Sequence, residues 1–355
     1  MDKGNSEGAE MAKTEKTKAD YGAMRCAVWY GGKDIRMEER PIPTPGPEEV
    51  LIEVACCGVC GTDVHILEGK FPLFQPPRII GHEYAGRVVA AGEKVTKVKV
   101  GDRVVAEPGK VCGYCHFCRS GQENLCLNRV LHQGAFTEYT VMPQHLVYPI
   151  PEAISFEVAS LTEPLACCLH AVDLAQIPSG ARVLVLGGGA IGLMLAQLSL
   201  RSGAAKVLVS ELQPHRRDLA RRFGAIAVDP ASENLKARVL EETAGLGPEV
   251  TFEAIGRPAQ VEEAIGLTQR GGTVVIVGVA DPEVEFKAKP YQIFAKELTI
   301  KGSYMRPYTY PRAITWLSQL DLEPLVKMEF GLEDTLLAID SLKMGKGVKI
   351  LVKPN

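Results

Sequence analysis

The chain has only two tryptophans, no apolar run long enough to span a bilayer and no surplus of basic residues. Its 40 Lys and Arg face 43 Asp and Glu, a net charge of −3. Without a positive field there is no electrostatic footprint for DNA, RNA or an acidic membrane surface. The lack of a long apolar run predicts no membrane span, and the polar start lacks the pattern of a secretory signal. These absences predict a soluble, cytoplasmic protein whose partner is a small molecule. With 355 residues, 46 % of them hydrophobic, it has material for two or three domains.

Residues 1–22 offer almost nothing to bury and are expected to form an unstructured tail. Over 23–172 the first part consists of short β-like runs such as RVVAAGEKV and VGDRVVAEPG, punctuated by Gly and Pro. They carry no helical periodicity, which predicts an irregular, mainly β body with its chemistry on loops. Helical pattern begins near 155–175. From Gly180 the pattern changes to short, continuously apolar strands near 183–186, 207–209, 226–228, 250–254, 273–277 and 298–300, alternating with helices. That alternation predicts a parallel sheet covered on both faces, an α/β nucleotide-binding domain over 173–305. Residues 306–355 break the rhythm and are expected to return to the first domain.

One glycine motif opens that second region. VLVLGGGAIG carries Gly187, Gly189 and Gly192 in G-x-G-x-x-G spacing, directly after a strand and opening a helix. The first glycine permits the tight turn and the second leaves room for a pyrophosphate. The third allows helix and strand to approach. Glu211 ends the next strand, where a carboxylate accepts the ribose hydroxyls of NAD and repels the 2′-phosphate of NADP. Arg216 and Arg217 follow closely, either as a solvated helix face or as a phosphate clamp.

Ten cysteines complete the inventory. Cys112, Cys115, Cys118 and Cys126 lie within a single glycine-containing loop of the lobe 109–128, a spacing suited to a closed tetrahedral zinc site. An iron–sulfur cluster uses related spacings, but nothing here suggests its electron partner. Cys26, Cys56, Cys57, Cys167 and Cys168 read as small apolar fillers. A second donor set is scattered: Cys60, Thr62, Asp63 and His65 in GVCGTDVH, His82 and Glu83 in IIGHEYAG, and Glu163 in LTEPLACC. Thiolate, imidazole and carboxylate together are the ligands of an open, catalytic zinc, though no rule of spacing links the three segments.

GVCGTDVH, GHEYAGRVVAAGEKVTKVKVGDRV, the four-cysteine loop, TEPLACCLHA, VLVLGGGAIG and GKGVKILVKP together resemble the zinc-dependent medium-chain dehydrogenases, in the sorbitol, xylitol and threonine dehydrogenase branch. The resemblance runs from Met24 to Lys353. It implies a GroES-like, mainly β catalytic domain combined with a Rossmann domain, and NAD with two zinc ions per chain, one catalytic and one structural. It also implies a homo-oligomer, a tetramer by preference. The catalytic metal would be held by Cys60, His82 and Glu163, with Glu83 near enough to exchange. Thr62 would take the substrate proton, His65 would pass it toward solvent, and Asp63 would orient the histidine. Arg306 matches an arginine near substrate and cofactor. The cofactor contacts would be Gly187, Gly189, Ile191, Gly192, Glu211, Arg216, Val277 and Val279. A polyol or cyclic sugar alcohol is the expected substrate, with a threonine-like amino alcohol, a diol such as 2,3-butanediol or a simple secondary alcohol as alternatives. A zinc- and NAD-binding scaffold without activity, or a zinc-free quinone reductase, would leave the scattered donor set unexplained.

Overall fold

The computed structural model describes residues 22–354 apart from 72–73 and 133. The tail expected at 1–22 lies outside the described residues, Gly22 excepted.

The β body is organised on strand Glu49–Val59, which pairs antiparallel with Glu83–Ala91, Tyr139–Pro143 and Ile350–Lys353. Arg103–Ala106 and Val147–Pro149 extend the sheet on one side and Met328–Gly331 on the other. A smaller sheet of Asp34–Pro41, Ala23–Gly31 and Arg78–Ile79 packs beside it. Alternation sends Val50, Ile52 and Val54 into the core of the β body, and a register shift between Val54 and Cys56 then turns Cys57 and Val59 to the same side. Cys56 faces the other way, into the core shared with the helices of the α/β domain. Cys26, Cys56, Cys57 and Cys168 are fully buried and serve as packing, whereas Cys167 is half-buried.

Strand Ile350–Lys353 fills the sheet position beside Glu49–Val59, so the chain returns to the β body after leaving it. In between lies a six-stranded parallel sheet in the order Ile226–Val228, Lys206–Ser210, Arg182–Leu186, Val250–Glu253, Thr273–Ile276 and Thr299–Gly302. Val183, Leu184 and Val185 have no exposed surface, as strands covered on both faces require. The strand order reverses between Arg182–Leu186 and Val250–Glu253, which opens a ligand crevice at their C-terminal ends.

One element departs from the sequence reading. Gly61–Leu67 is an α-helix, not a loop, and it carries Thr62, Asp63 and His65. Seven residues are too few to register as helical periodicity. The helix is fixed at its start, where the Asp63 side chain accepts from the Cys60 backbone N–H at 2.9 Å.

Candidate active site and metal centres

The scattered donors converge. Cys60 follows the central strand as the cap of helix Gly61–Leu67, and His82 directly precedes Glu83, the first residue of strand Glu83–Ala91 beside it. Ligand atoms of Cys60, His82 and Glu83 all lie within 4.8 Å of one another. Gly58 makes this possible, since a Cβ there would come within 2.4 Å of Glu83 Oε2. Asp63 is fully buried behind the group, with Oδ1 3.8 Å from His82 Nδ1 and no hydrogen-bond partner of its own. Burial holds its carboxyl above the usual range. His82 experiences two opposing influences. Burial disfavours its charged form, but the Cys60 thiolate outweighs this, aided by Asp63 and Glu163, and pushes the imidazole up to about 10. A sulfur, a nitrogen and a carboxylate oxygen that together stabilise positive charge fit a zinc ion.

Glu163 is not one of this close group. It sits on helix Thr162–Ala175, where its Oε1 accepts from Arg306 Nη1 at 2.7 Å. Both side chains are at most 8 % exposed. Arg306 Nε is buried without a hydrogen bond, 4.0 Å from Glu107 Oε1. The Arg306 guanidinium also stacks 5.7 Å from the centre of the Tyr310 ring. Thr62 Oγ1 lies 3.6 Å from Cys60 Sγ, and His65 is half-buried one turn further along the same helix.

Lys349 is the residue that sequence reading missed. It is 5 % exposed, and its Nζ donates to Glu83 Oε2 at 2.5 Å and to the Val59 carbonyl at 3.1 Å. A buried ammonium is tolerated only when paired, and here it offsets the charge of a metal-donor carboxylate. A lysine just before a strand ordinarily reads as a solvent-facing charge. Its pairing with a residue 266 positions earlier leaves no local signal.

The second metal centre is local. Ligand atoms of Cys112, Cys115, Cys118 and Cys126 lie within 4.8 Å of one another, and none of these thiols is in a disulfide. Backbone N–H groups point at the sulfurs: Cys115 N donates to Cys112 Sγ and Cys112 N to Cys126 Sγ, each at 3.3 Å. Desolvation opposes ionisation of Cys112, yet donors from Tyr114, Cys115 and Asn128 bring it down to about 6. Cys115 is lowered as well, whereas burial pushes Cys118 up to about 12; four sulfurs this close fit a four-sulfur zinc site.

At the nucleotide crevice Gly187 adopts φ +100°, and a Cβ on Gly192 would lie 1.8 Å from its carbonyl oxygen, so both positions demand glycine. Gly189 opens helix Ala190–Arg201 onto free space. Glu211 is 9 % exposed, with Oε2 accepting from Gly188 N and Oε1 from Gln213 N, each at 2.8 Å. Neither arginine after it is a solvated face. Arg216 donates to the carbonyls of Gly345 and Gly347, with Nη1 3.9 Å from Glu211 Oε2. Arg217 donates to the carbonyls of Glu211 and Leu212 and pairs with Asp229 at 2.9 Å. Ile191 and Val277 are half-buried near the crevice, and Val279 is 56 % exposed. Glu253, also missed from sequence, is buried at the end of its strand, where its Oε1 accepts from Ile255 N and Gly256 N.

Comparison with known proteins agrees with this arrangement. Residues 46–152 match the alcohol dehydrogenase GroES-like domain, and residues 190–319 match the zinc-binding dehydrogenase domain. A sorbitol dehydrogenase of Bacillus subtilis is 33 % identical over 94 % of this chain and 98 % of its own length. The chain belongs to the zinc-dependent medium-chain dehydrogenases. Another relative is an L-threonine 3-dehydrogenase of Caldanaerobacter subterraneus, 35 % identical over 91 % of this chain and 96 % of its own. Among solved structures, a Sinorhizobium meliloti protein described as a zinc-binding dehydrogenase and bound to NADP superposes with a TM-score of 0.90. It is 34 % identical and covers 94 % of this chain and all of its own. Family and geometry together define a zinc- and NAD-dependent oxidoreductase of secondary alcohols or polyols, close to the sorbitol, xylitol and threonine branch. Two zinc ions per chain accord with the two donor groups. Among the described residues no helix is long and apolar enough to cross a membrane.

Proposed function

We propose that the enzyme oxidises a polyol or cyclic sugar alcohol to the ketone, with NAD preferred to NADP. The observation that carries this reading is the buried Arg306–Glu163 pair at 2.7 Å, which leaves Arg306 Nε as an unpaired donor. A buried donor is satisfied by a hydroxyl-bearing substrate and left unpaired by an alkyl chain, which penalises the latter. Bound zinc supplies a Lewis acid for the hydroxyl, and bound NAD the hydride acceptor.

In this proposal Cys60, His82 and Glu83 are the direct metal donors. Glu163, expected from the resemblance as the third donor, stands beside them in the grip of Arg306. Asp63 faces the Nδ1 side of the His82 ring and orients it by its charge. Thr62 accepts the substrate proton at Oγ1, and His65 carries it toward solvent. Gly187, Gly189 and Gly192 accommodate the pyrophosphate and Glu211 the ribose, with Ile191, Val277 and Val279 along the cofactor. Arg216 fastens this end of the crevice to the 345–347 segment instead of gripping a phosphate.

The amino-alcohol reading keeps one supporting observation, since Arg306 Nε could equally meet a substrate carboxylate. NAD reduction measured over linear polyols, inositols, 2,3-butanediol, L-threonine and simple secondary alcohols tests the choice. The highest kcat/KM should fall on a polyhydroxylated compound, and a simple alcohol in first place would refute it.

The domain division 23–172 with 306–355, and 173–305, belongs to the same proposal. So does a cytoplasmic setting, which keeps the metal-binding thiols reduced. A homotetramer is supported by the edge strand Thr299–Gly302 and by Tyr291 and Phe294, each 77 % exposed. Light scattering on the purified protein measures the oligomer directly.

A further inference from the structure

A cavity of about 650 Å³ lies between the four-cysteine lobe and the loop that carries Arg306. Phe117, Leu125 and Val130 contribute apolar wall, Tyr304 closes the far side, and Arg78 and Arg129 add two guanidinium groups. The lobe and loop are joined there by two bonds. Asn124 Nδ2 donates to the Tyr304 carbonyl, and Tyr308 N donates to Glu123 Oε1, each at 2.9 Å. Tyr304 is two residues from Arg306, and the cavity's Arg129 is near enough to Arg306 to feel its charge.

Two guanidinium groups of this cavity lack an ion pair at close range, although the Cys126 sulfur also lines it and the carboxylates of Glu107 and Glu123 stand nearby. Among the described residues neither Arg78 nor Arg129 makes an ion pair with a carboxylate. Arg78 donates through Nη2 to the carbonyls of Leu131 and His132 at 2.8 and 2.6 Å, and its Nε is buried with no partner. Arg129 makes a single hydrogen bond, Nη2 to the Glu123 carbonyl at 3.0 Å, which leaves the rest of its fork free. The nearby cation Arg306 is held by Glu163, with Glu107 Oε1 4.0 Å from its Nε, and the Glu123 carboxylate accepts from Tyr308 N. Burial and the Arg306 charge hold the Arg129 guanidinium below its ordinary value, against the opposing influence of Glu107 and Cys126.

We propose that this cavity receives a negatively charged end of the substrate, a carboxylate or a phosphate monoester, and that Arg129 selects for it. The inference rests on the polyol reading and narrows it to an acidic sugar alcohol. A planar guanidinium with free N–H groups recognises either anion in bidentate fashion.

The test compares sorbitol, gluconate and sorbitol 6-phosphate as hydride donors for the zinc-loaded enzyme with NAD. At least one anionic compound should exceed sorbitol in kcat/KM by about tenfold, the scale of a charged hydrogen bond. Which of the two wins identifies the anion. Arg129→Met should raise KM for that compound about tenfold. It should leave kcat and the sorbitol KM unchanged, while Arg129→Lys restores part of the preference. In the unmutated enzyme the advantage should shrink as salt is raised. The inference is overturned if sorbitol matches or beats both anions, or if Arg129→Met leaves the preference intact; polyol oxidation itself would then stand. Turnover of simple alcohols alone would overturn the polyol reading and this inference with it.

Discussion

The two metal centres are built on opposite plans. The four thiols of the lobe come from fifteen consecutive residues, 112 to 126, and their sulfurs accept from local groups: backbone N–H groups on Cys112 and Cys126, and Asn128 on Cys112. The Cys60, His82 and Glu83 group is drawn from separate segments and is enclosed by buried charges: Asp63 behind the histidine, Lys349 on Glu83, and Arg306 on Glu163 close by. A closed sulfur site needs only a loop that folds around it. A reactive site must keep a position open, and this one does so inside a balanced set of fixed ions whose partners arrive from across the fold. The lobe is thereby replaceable in its chemistry but not in its stability, and the other centre the reverse.

The contrast can be broken by mutation, beginning where the effect is largest. Cys60→Ala should remove one zinc per chain and lower kcat/KM by about a thousandfold, as loss of a Lewis acid implies, with thermal unfolding close to the unmutated protein. Cys118→Ala should also remove one zinc. Its main effect should be a melting temperature lower by about 5 °C or more, with activity per folded molecule within about threefold. Metal analysis and calorimetry on the two variants side by side check both. Equal thermal losses would erase the distinction between the centres. Arg306→Ala should reduce kcat/KM for a polyol about tenfold and for a simple alcohol much less, because only the polyol uses the freed donor. Smallest is Glu211→Ala, for which the NAD over NADP preference should fall roughly fivefold. An unchanged preference there would shift cofactor choice away from the ribose carboxylate.

The same contrast governs what could be read from the sequence. The cysteine lobe and the Gly187–Gly192 turn are local, so spacing alone exposes their chemistry. The six parallel strands were legible because continuous apolar runs have no other use in a soluble α/β layer. Cys60, His82 and Glu163 became a set, with Glu83 near enough to exchange, only through resemblance, since nothing in residue spacing brings the separate segments together. Glu163 entered as third donor through the same resemblance, and sequence carries no sign that Arg306 would engage it. Helix Gly61–Leu67 was too short for periodicity, and the Arg216 hydrogen bonds to Gly345 and Gly347 connect distant segments.

The pairing of Lys349 with Glu83 also sets a timetable for biosynthesis. The carboxylate emerges from the ribosome 266 residues before its ammonium. At about 5–20 residues per second, that is a wait of roughly 13 to 53 seconds. Until then the sheet around Glu49–Val59 lacks its Ile350–Lys353 neighbour as well as the charge that balances Glu83. The intervening parallel sheet, whose strands all fall within 182–302, can fold during that interval. The reactive centre is therefore among the last parts of the molecule to be completed, whereas the cysteine lobe has every ligand in hand as soon as residue 126 is made.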